Sequence, residues 1–265
     1  MTRIIGHRGA RGLAPENTIA SIRAALTAGV DEVEVDIRVT KDGIPVLNHD
    51  PYINDANGGK LRDTLIHKHT LVELRSYRPD LATLDEAVVF VNRRVPMTLE
   101  VKPKVSVAEP VAALRLYLAK GWQGDDFLLA SFSQRTLKKL HAELPGIEKV
   151  INEHFSGWWG AHRAQQVNAK RVLFNQFNMW SWFIRSMTRR GYRVTAFTLN
   201  NQRKAERWAK YGLYGIITDY PDRFIRQIET ATKTTLTMPK QLQPPSTAPA
   251  KRQQTNKRRR NRRSK

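Results

Sequence analysis

His7, His49, Glu34 and Asp36 all fall within the first fifty residues, where a strand–helix–strand–strand chain would bring them to one end of a sheet. His7 and His49 each follow a short apolar run, and Glu34 and Asp36 alternate with valines. Carboxylate oxygens bind hard divalent cations. Imidazoles accept and donate protons near neutral pH. The combination points to phosphodiester chemistry.

The two carboxylates belong to an alternating segment, Val33–Val39. Alternation with a period of two sends the aliphatic side chains to one face and Glu34 and Asp36 to the other. Neighbouring carboxylates in a poorly hydrated place repel each other, so they need a cation. An edge strand with a solvated polar face is the alternative interpretation of this segment taken alone.

Residues 97–103 repeat this arrangement, with Glu100 and Lys102 on one face. Because neighbouring strands lie roughly 5 Å apart, Glu100 is predicted to be the third oxygen ligand. Three carboxylates in a chain without cysteine suit Mg²⁺ or Ca²⁺ rather than zinc. Lys102 is predicted to bind a substrate phosphate, with an ordinary Glu100 ion pair as the equal alternative.

His7 and His49 are predicted to end strands, and their pairing carries the functional prediction because a lone histidine is more often structural. One imidazole would deprotonate a nucleophile and the other would protonate a leaving alcohol, in either order. Arg8 offers a planar fork for phosphate oxygens. Glu16 either orients His7 or Arg8 or is a favourable acidic charge at a helix start. The remaining histidines are predicted to be surface or core residues: His67, His69, His141, His154 and His162.

Short apolar runs alternate with helical patterns along the chain, which is typical of βα units around a parallel sheet. Eight such units in about 230 residues suit a TIM (β/α)8 barrel. An open doubly wound sheet is the alternative, but residues 6–12 do not match the G-x-G-x-x-G phosphate loop that such a sheet would have after its first strand. Residues 54–69 are predicted to form an excursion or lid. The predicted strands are Ile4–Ile5, Glu32–Val39, Met97–Val101, Phe127–Phe132, Lys149–Asn152, Arg171–Asn175, Val194–Leu199 and Gly215–Thr218, with an extra pairing at Pro45–Asn48.

The net charge of +21 is unevenly spread, because residues 239–265 hold ten Lys or Arg and no acidic residue. We predict one catalytic domain over residues 1–232 and a disordered, Lys/Arg-rich tail over residues 233–265. The tail would bind anionic lipid or nucleic acid weakly, or only aid solubility. With no cysteine, signal peptide or transmembrane run, the expected location is the cytoplasm, peripheral to the membrane through the tail.

Seven short motifs follow one another within residues 3–228: Ile5–Gly9, Pro15–Thr18, Glu34–Asp36, Thr40–Gly43, Val46–Asp50, Leu99–Pro103 and Gly215–Pro221. In this order they resemble the glycerophosphodiester phosphodiesterase family. The resemblance implies a TIM barrel and a divalent cation held by Glu34, Asp36 and Glu100. It also implies acid–base catalysis by His7 and His49. The implied substrate is a glycerophosphodiester, hydrolysed to glycerol phosphate and an alcohol.

The chain departs from the family pattern near the expected pocket. Phe197–Asn200 replaces the usual Trp-Thr-Val-Asn, so Phe197 is predicted to be an apolar pocket wall without an indole donor. Pro51–Gly59 replaces a stretch often rich in Arg and Thr. Because both changes border the expected pocket, the identity of the alcohol that the reaction releases is not predicted. A dense aromatic cluster is predicted to pack in the core, with a rim that accepts an acyl chain as the alternative: Phe155, Trp158, Trp159, Trp180 and Trp182.

Three other functions are compatible with parts of the pattern. The first is lysophospholipase D-type hydrolysis at an anionic membrane surface. The second is a non-catalytic barrel with a nucleic-acid-binding tail. The third, a sphingomyelinase-D-like or phosphoinositide lipase, is disfavoured by Glu100-x-Lys102 and by the closing motif Thr218–Pro221.

Overall fold

Eight parallel strands close into a barrel in the computed structural model of the chain, which describes residues 1–54, 60–154 and 157–225. The first barrel strand pairs with both the last and the second, which closes the cylinder. The strands are β1 (Arg3–Gly6), β2 (Glu32–Val39), β3 (Pro45–Leu47), β4 (Tyr52–Asn54), β5 (Lys60–Leu65), β6 (Met97–Val101), β7 (Phe127–Ser131), β8 (Glu148–Glu153), β9 (Arg171–Asn175), β10 (Arg193–Phe197) and β11 (Gly215–Thr218). The barrel order is β1-β2-β6-β7-β8-β9-β10-β11, so the TIM-barrel prediction is confirmed.

Helices follow the barrel strands on the outside. Local signals set their ends: Thr18, Thr70 and Thr83 form capping boxes, Ser133 caps a fourth helix, and Gly29 ends the first with a φ of 85°. A left-handed residue at a helix C-terminus is the conformation that glycine adopts most readily. The helices are α1 (Ile19–Ala28), α2 (Leu71–Tyr77), α3 (Leu84–Val91), α4 (Ala108–Ala119), α5 (Gln134–Glu143), α6 (Gly157–Gln165), α7 (Ser181–Arg189) and α8 (Gln202–Ala209).

Strand β2 shows how the alternating pattern becomes the two faces of the barrel wall. Val33, Val35 and Ile37 pack outward in a core that they share with buried residues of α1 and α3. Its even-numbered carboxylates therefore face inward. Strand β6 lies beside β2 in a parallel register that pairs Asp36 with Glu100.

The opposite end of the barrel interior is filled by a buried ion pair. Arg171 on β9 donates through Nη1 and Nη2 to the Glu32 carboxylate on β2, at 2.7 and 3.0 Å. Thr98 also donates to Glu32. Both charged side chains are almost fully inaccessible, so loss of either would leave the other as an unpaired buried charge.

The predicted excursion after the second barrel strand contains regular structure. Strands β4 and β5 pair as an antiparallel hairpin, and a short 3₁₀ turn covers Ile66–Lys68. A separate small core lies here: Val46, Ile53, Ile66, Leu74 and Leu81. Residues 55–59, and the predicted tail with its boundary at 232, lie outside the described residues. None of the described helices combines the length and the apolar character that crossing a bilayer requires.

Candidate active site

Three carboxylates meet inside the barrel: Glu34 and Asp36 on β2 and Glu100 on β6. Each offers an oxygen, and these oxygens all lie within 4.8 Å of one another. All three side chains are buried. They line a cavity of about 310 Å³ that also includes His7 and His49. The structure thus brings together the acids and both histidines singled out in the sequence.

The pKa values of the three acids reflect their burial and their closeness to one another. Burial, followed by repulsion from Asp36 and Glu100, raises the pKa of Glu34 well above its usual value. Burial likewise raises the pKa of Glu100. Burial acts to raise the pKa of Asp36 as well, but Lys102 and Arg8 outweigh it and hold this pKa below its ordinary value. When all three acids are ionised, their charge exceeds that of Lys102 and Arg8, which favours a bound cation.

Lys102 and Arg8 contact the acids directly. Lys102 Nζ lies 2.6 Å from Asp36 Oδ1 and 2.5 Å from Glu100 Oε1, so the ion-pair alternative for Lys102 is observed. Arg8 donates its backbone N–H to Glu34 Oε2 at 2.9 Å. Its Nε is 3.2 Å from Asp36 Oδ2, a charge contact without hydrogen-bond alignment. Both cations line the cavity.

Glu16 orients Arg8. The Arg8 Nη1 group donates to both oxygens of Glu16, at 2.8 and 2.9 Å. Of the two partners that the sequence allowed for Glu16, Arg8 is therefore the one that it contacts.

The partner of His7 is Asp219, which the sequence patterns did not single out as a site residue. His7 Nδ1 lies 2.6 Å from Asp219 Oδ1. Asp219 is itself held by Arg11 Nε at 2.7 Å and by Asn200 Nδ2 at 2.8 Å. Burial lowers the pKa of His7, and the Asp219 hydrogen bond partly opposes that effect. A carboxylate at Nδ1 favours the tautomer in which Nε2 is the basic nitrogen.

His49 occupies a more exposed part of the same cavity. Its Nδ1 lies 2.9 Å from Asp50 Oδ1. Arg38 holds the local backbone by donating through Nε and Nη2 to the His49 carbonyl, at 3.0 and 2.6 Å. Burial, followed by the charge of Lys102, lowers the pKa of His49. Both imidazoles are therefore biased toward the neutral form.

Two asparagines that the sequence reasoning missed position the acids. Asn17 donates through Nδ2 to Asp36 Oδ2 at 2.9 Å and accepts the Asp36 backbone N–H at 3.0 Å. Asn152 donates to Glu100 Oε2 at 2.8 Å. Asn17 lies in the Pro15–Thr18 motif, which was a signal for its importance. Asn152 was marked only by its place near the end of a barrel strand.

The other side of the cavity is aromatic. Phe132 stacks on His154 with ring centroids 4.3 Å apart, and Phe197 meets both rings edge-on. His154 thus lies in the cavity wall rather than among the surface or core histidines predicted, and its place directly after β8 was the available signal. Phe197 lines the cavity as predicted. The pocket is charged toward β1, β2 and β6 and largely apolar toward β7–β11.

The core-packing prediction for the aromatic cluster is wrong. Trp158 and Trp159 are 66% and 54% exposed, and Trp180 and Trp182 are 46% and 67% exposed. Phe155 lies outside the described residues. Helices α6 and α7 begin at or next to these tryptophans and turn them outward, while Phe183 and Met187 face the core.

Known proteins share this fold and part of this sequence. A phosphodiesterase of Oleispira antarctica, solved in complex with the product sn-glycerol-3-phosphate, has a TM-score of 0.74 and 29% identity, covering 86% of this chain and 97% of that one. A Thermotoga maritima glycerophosphodiester phosphodiesterase shows the same fold, with a TM-score of 0.69, 23% identity and coverage of 86% and 98%. Bacillus subtilis YhdW, provisionally named a glycerophosphodiester phosphodiesterase, is 29% identical over 245 residues, covering 84% of this chain and 96% of that protein.

Residues 7–223 match the glycerophosphoryl diester phosphodiesterase family. The matched segment begins at His7 and ends shortly after Asp219, so it contains the whole cavity described above. The chain belongs to the glycerophosphoryl diester phosphodiesterase family.

Proposed function

We propose that the protein hydrolyses glycerophosphodiesters to glycerol 3-phosphate and an alcohol, with the help of one Mg²⁺ or Ca²⁺ ion. The observation that carries this proposal is the convergence of Glu34, Asp36 and Glu100 beside His7 and His49 in one cavity. The similar Oleispira antarctica phosphodiesterase, which was solved with sn-glycerol-3-phosphate, supports the substrate class.

The acidic group fits a hard divalent cation. Glu34, Asp36 and Glu100 offer only carboxylate oxygens, which Mg²⁺ and Ca²⁺ prefer. Burial, and after it repulsion between neighbouring carboxylates, raises the pKa values of Glu34 and Glu100, and a bound cation would favour their ionised forms. When bound, the ion would neutralise charge on the phosphate oxygens of the substrate.

Arg8 and Lys102 are the proposed phosphate-binding residues. Arg8 is held by Glu16, which fixes the direction of its guanidinium and lowers the entropy lost when an anion binds. Lys102 contacts Asp36 and Glu100 in the free protein. Lys102 can exchange part of this ion pairing for phosphate oxygens when substrate enters.

His7 and His49 are the proposed acid–base pair. The imidazole that accepts a proton must be neutral, and burial lowers the pKa of both residues toward that form. The imidazole that acts as the acid must be protonated, and the hydrogen bonds of Asp219 to His7 and of Asp50 to His49 act in that direction. One imidazole accepts the proton of the attacking hydroxyl, which belongs to water or to the neighbouring glycerol hydroxyl. In the second case the product is a cyclic glycerol phosphate, which water must then open to give glycerol 3-phosphate. The other donates a proton to the departing alcohol oxygen. Asp219 stabilises the imidazolium form of His7 when it carries the extra proton.

The test is a panel of glycerophosphodiesters assayed with EDTA and with Mg²⁺ or Ca²⁺ added back. We expect EDTA to abolish release of glycerol 3-phosphate and one ion to restore it. His7→Ala and His49→Ala should each lower turnover by roughly 10²–10⁴-fold, whereas His141→Ala on α5 should not. Full activity in EDTA, or in both cavity variants, would contradict the proposal.

A second candidate substrate is a lysophospholipid. The aromatic wall of Phe132, His154 and Phe197 favours it, because this wall leads to Phe177, which lines the cavity and is 81% exposed. Such a wall suits an acyl chain better than a small polar headgroup. The same panel should then show lysophospholipids turned over faster than glycerophosphocholine, and Phe177→Ser should reduce only the lysophospholipid rate.

A further inference from the structure

Four exposed tryptophans form a surface beside the mouth of the barrel. The tryptophan surface comprises Trp158 and Trp159 at the start of α6, and Trp180 and Trp182 at the start of α7. Both helices follow the carboxyl ends of β8 and β9, where the cavity opens. The ring centroids are 5.2 Å apart in the first pair and 5.4 Å apart in the second.

The two pairs are joined by packing beneath them. A Cβ atom at Gly157 would lie 1.9 Å from Phe183 Cε2, so the start of α6 rests directly on the Phe183 ring of α7. Trp180 also contacts Phe183, with centroids 6.1 Å apart. A buried ring therefore supports both the start of α6 and Trp180.

Exposed basic side chains lie on the helices next to the tryptophan surface. Arg185 and Arg189 on α7 and Arg203 and Arg207 on α8 are exposed, and Glu206 is the one acidic residue on α6, α7 and α8. On α7, Trp182 shares an exposed helical face with Arg185 and Arg189 at spacings of three and seven. Lys204 on α8 lies over the Phe177 ring, 5.8 Å from its centroid.

Exposed tryptophans among arginines and lysines match the chemistry of an anionic bilayer surface. Indole rings partition into the headgroup layer of a bilayer, where the ring contacts apolar groups and the N–H remains hydrated. Basic side chains are attracted to anionic headgroups. We propose that the tryptophan surface docks the protein on membranes containing anionic phospholipid, with the cavity mouth beside the bilayer. This proposal stands on the surface alone and does not depend on the proposed reaction.

The test uses the full chain and phosphatidylcholine vesicles with and without phosphatidylglycerol. Sedimentation is measured at low and high salt, because binding through the basic segment Lys257–Lys265 is electrostatic and weakens as salt rises. We expect a fraction of binding to phosphatidylglycerol vesicles to survive high salt. Trp158→Ala/Trp182→Ala should weaken this fraction at least about tenfold.

The matched control is Tyr77→Ala/Tyr211→Ala, which removes two exposed aromatic rings outside the tryptophan surface and should bind like the parent. Turnover of soluble glycerophosphocholine and the far-UV circular dichroism spectrum should be unchanged in both variants. Quenching of parent tryptophan fluorescence by brominated lipid tests insertion without any substitution. The proposal is overturned if no binding survives high salt, if brominated lipid does not quench tryptophan fluorescence, or if the two variants bind vesicles equally. The parent could instead dimerise without binding vesicles. If Trp158→Ala/Trp182→Ala abolished that dimer and Tyr77→Ala/Tyr211→Ala did not, the tryptophan surface would be assigned to contact with a second copy of the chain.

Discussion

His7 Nδ1 lies 2.6 Å from Asp219 Oδ1, although 212 positions separate the two residues in the chain. The contact exists because the barrel closes: β1 pairs with β11 so that Gly6 lies beside Thr218, and each of the two side chains follows directly. Barrel closure thus supplies the orienting carboxylate of a candidate catalytic histidine. The final strand, as much as the motif-rich first fifty residues, therefore builds the site.

Asp219→Asn should lower turnover by at least about 100-fold, because an uncharged partner no longer stabilises the imidazolium of His7. Burial already lowers the pKa of His7, and Asp219 opposes that shift. Removing its charge lowers the pKa further, so the limb of the pH–rate profile set by His7 should move to lower pH. The measurement is kcat/KM across pH. The control is Asp50→Asn, beside His49, which should leave the pH of this limb unchanged. If the limb does not move in Asp219→Asn, Asp219 does not act through His7.

Asn17→Gly should lower divalent-cation affinity by roughly 10–100-fold, the usual effect of losing a side chain that orients a ligand. Asn17 makes two hydrogen bonds to Asp36 and has a φ of 57°, which glycine adopts without strain. Calorimetric titration with Mg²⁺ and Ca²⁺ measures the change. Asn92→Gly is the matched control, since Asn92 has a φ of 45° at the end of α3, away from the cavity. Equal affinities in the two variants would refute the positioning role.

The alternating pattern of β2 was enough to predict where Glu34 and Asp36 point, because strand period alone assigns a face. The approach of Glu100 to these acids also followed, because β2 and β6 are neighbouring barrel strands, whereas the register that places Glu100 opposite Asp36 came from the structure. Asp219 was harder to find. Its contact with His7 depends on closure between the first and last strands, which local periodicity does not encode.

The tryptophans show a different limit of sequence reasoning. Hydrophobic character predicts burial on average, but large aromatic rings are also used at surfaces that contact other molecules. Trp158 and Trp182 lie on the outward face of the first turn of their helices. Only the packing of Phe183 beneath them reveals which face is buried.

Glu34→Gln should stabilise the protein when cations are removed by EDTA, while abolishing cation-dependent activity. The folded-state pKa of Glu34 is raised by burial and by repulsion from Asp36 and Glu100. Below the pKa of Glu34 in the unfolded chain, the carboxyl is protonated in both states and the folded state carries no penalty. As pH rises through the higher pKa of the folded state, the carboxyl must ionise inside the barrel, and the stability present at low pH is lost. The variant should therefore be more stable than the parent at neutral pH.

The gain in Glu34→Gln should shrink as pH falls, because the parent carboxyl then becomes protonated as well. Urea unfolding in EDTA at several pH values measures both the gain and its pH dependence. Glu143→Gln, at an exposed carboxylate paired with Arg115, provides the control and should show no comparable gain. A Glu34→Gln protein that is less stable at neutral pH would show that Arg8 and Lys102 already compensate for the repulsion.

Arg171→Met should destabilise the fold by about 3–5 kcal/mol, because it leaves the Glu32 carboxylate buried without its cation. The pair lies at the end of the barrel away from the carboxyl ends of the strands, and neither residue lines the cavity. The folded fraction should therefore keep its kcat. Chemical denaturation measures the loss, and Glu32→Gln/Arg171→Met should recover part of it because no unpaired charge remains. A single variant within about 1 kcal/mol of the parent would mean that Thr98 and other polar groups satisfy Glu32 without Arg171.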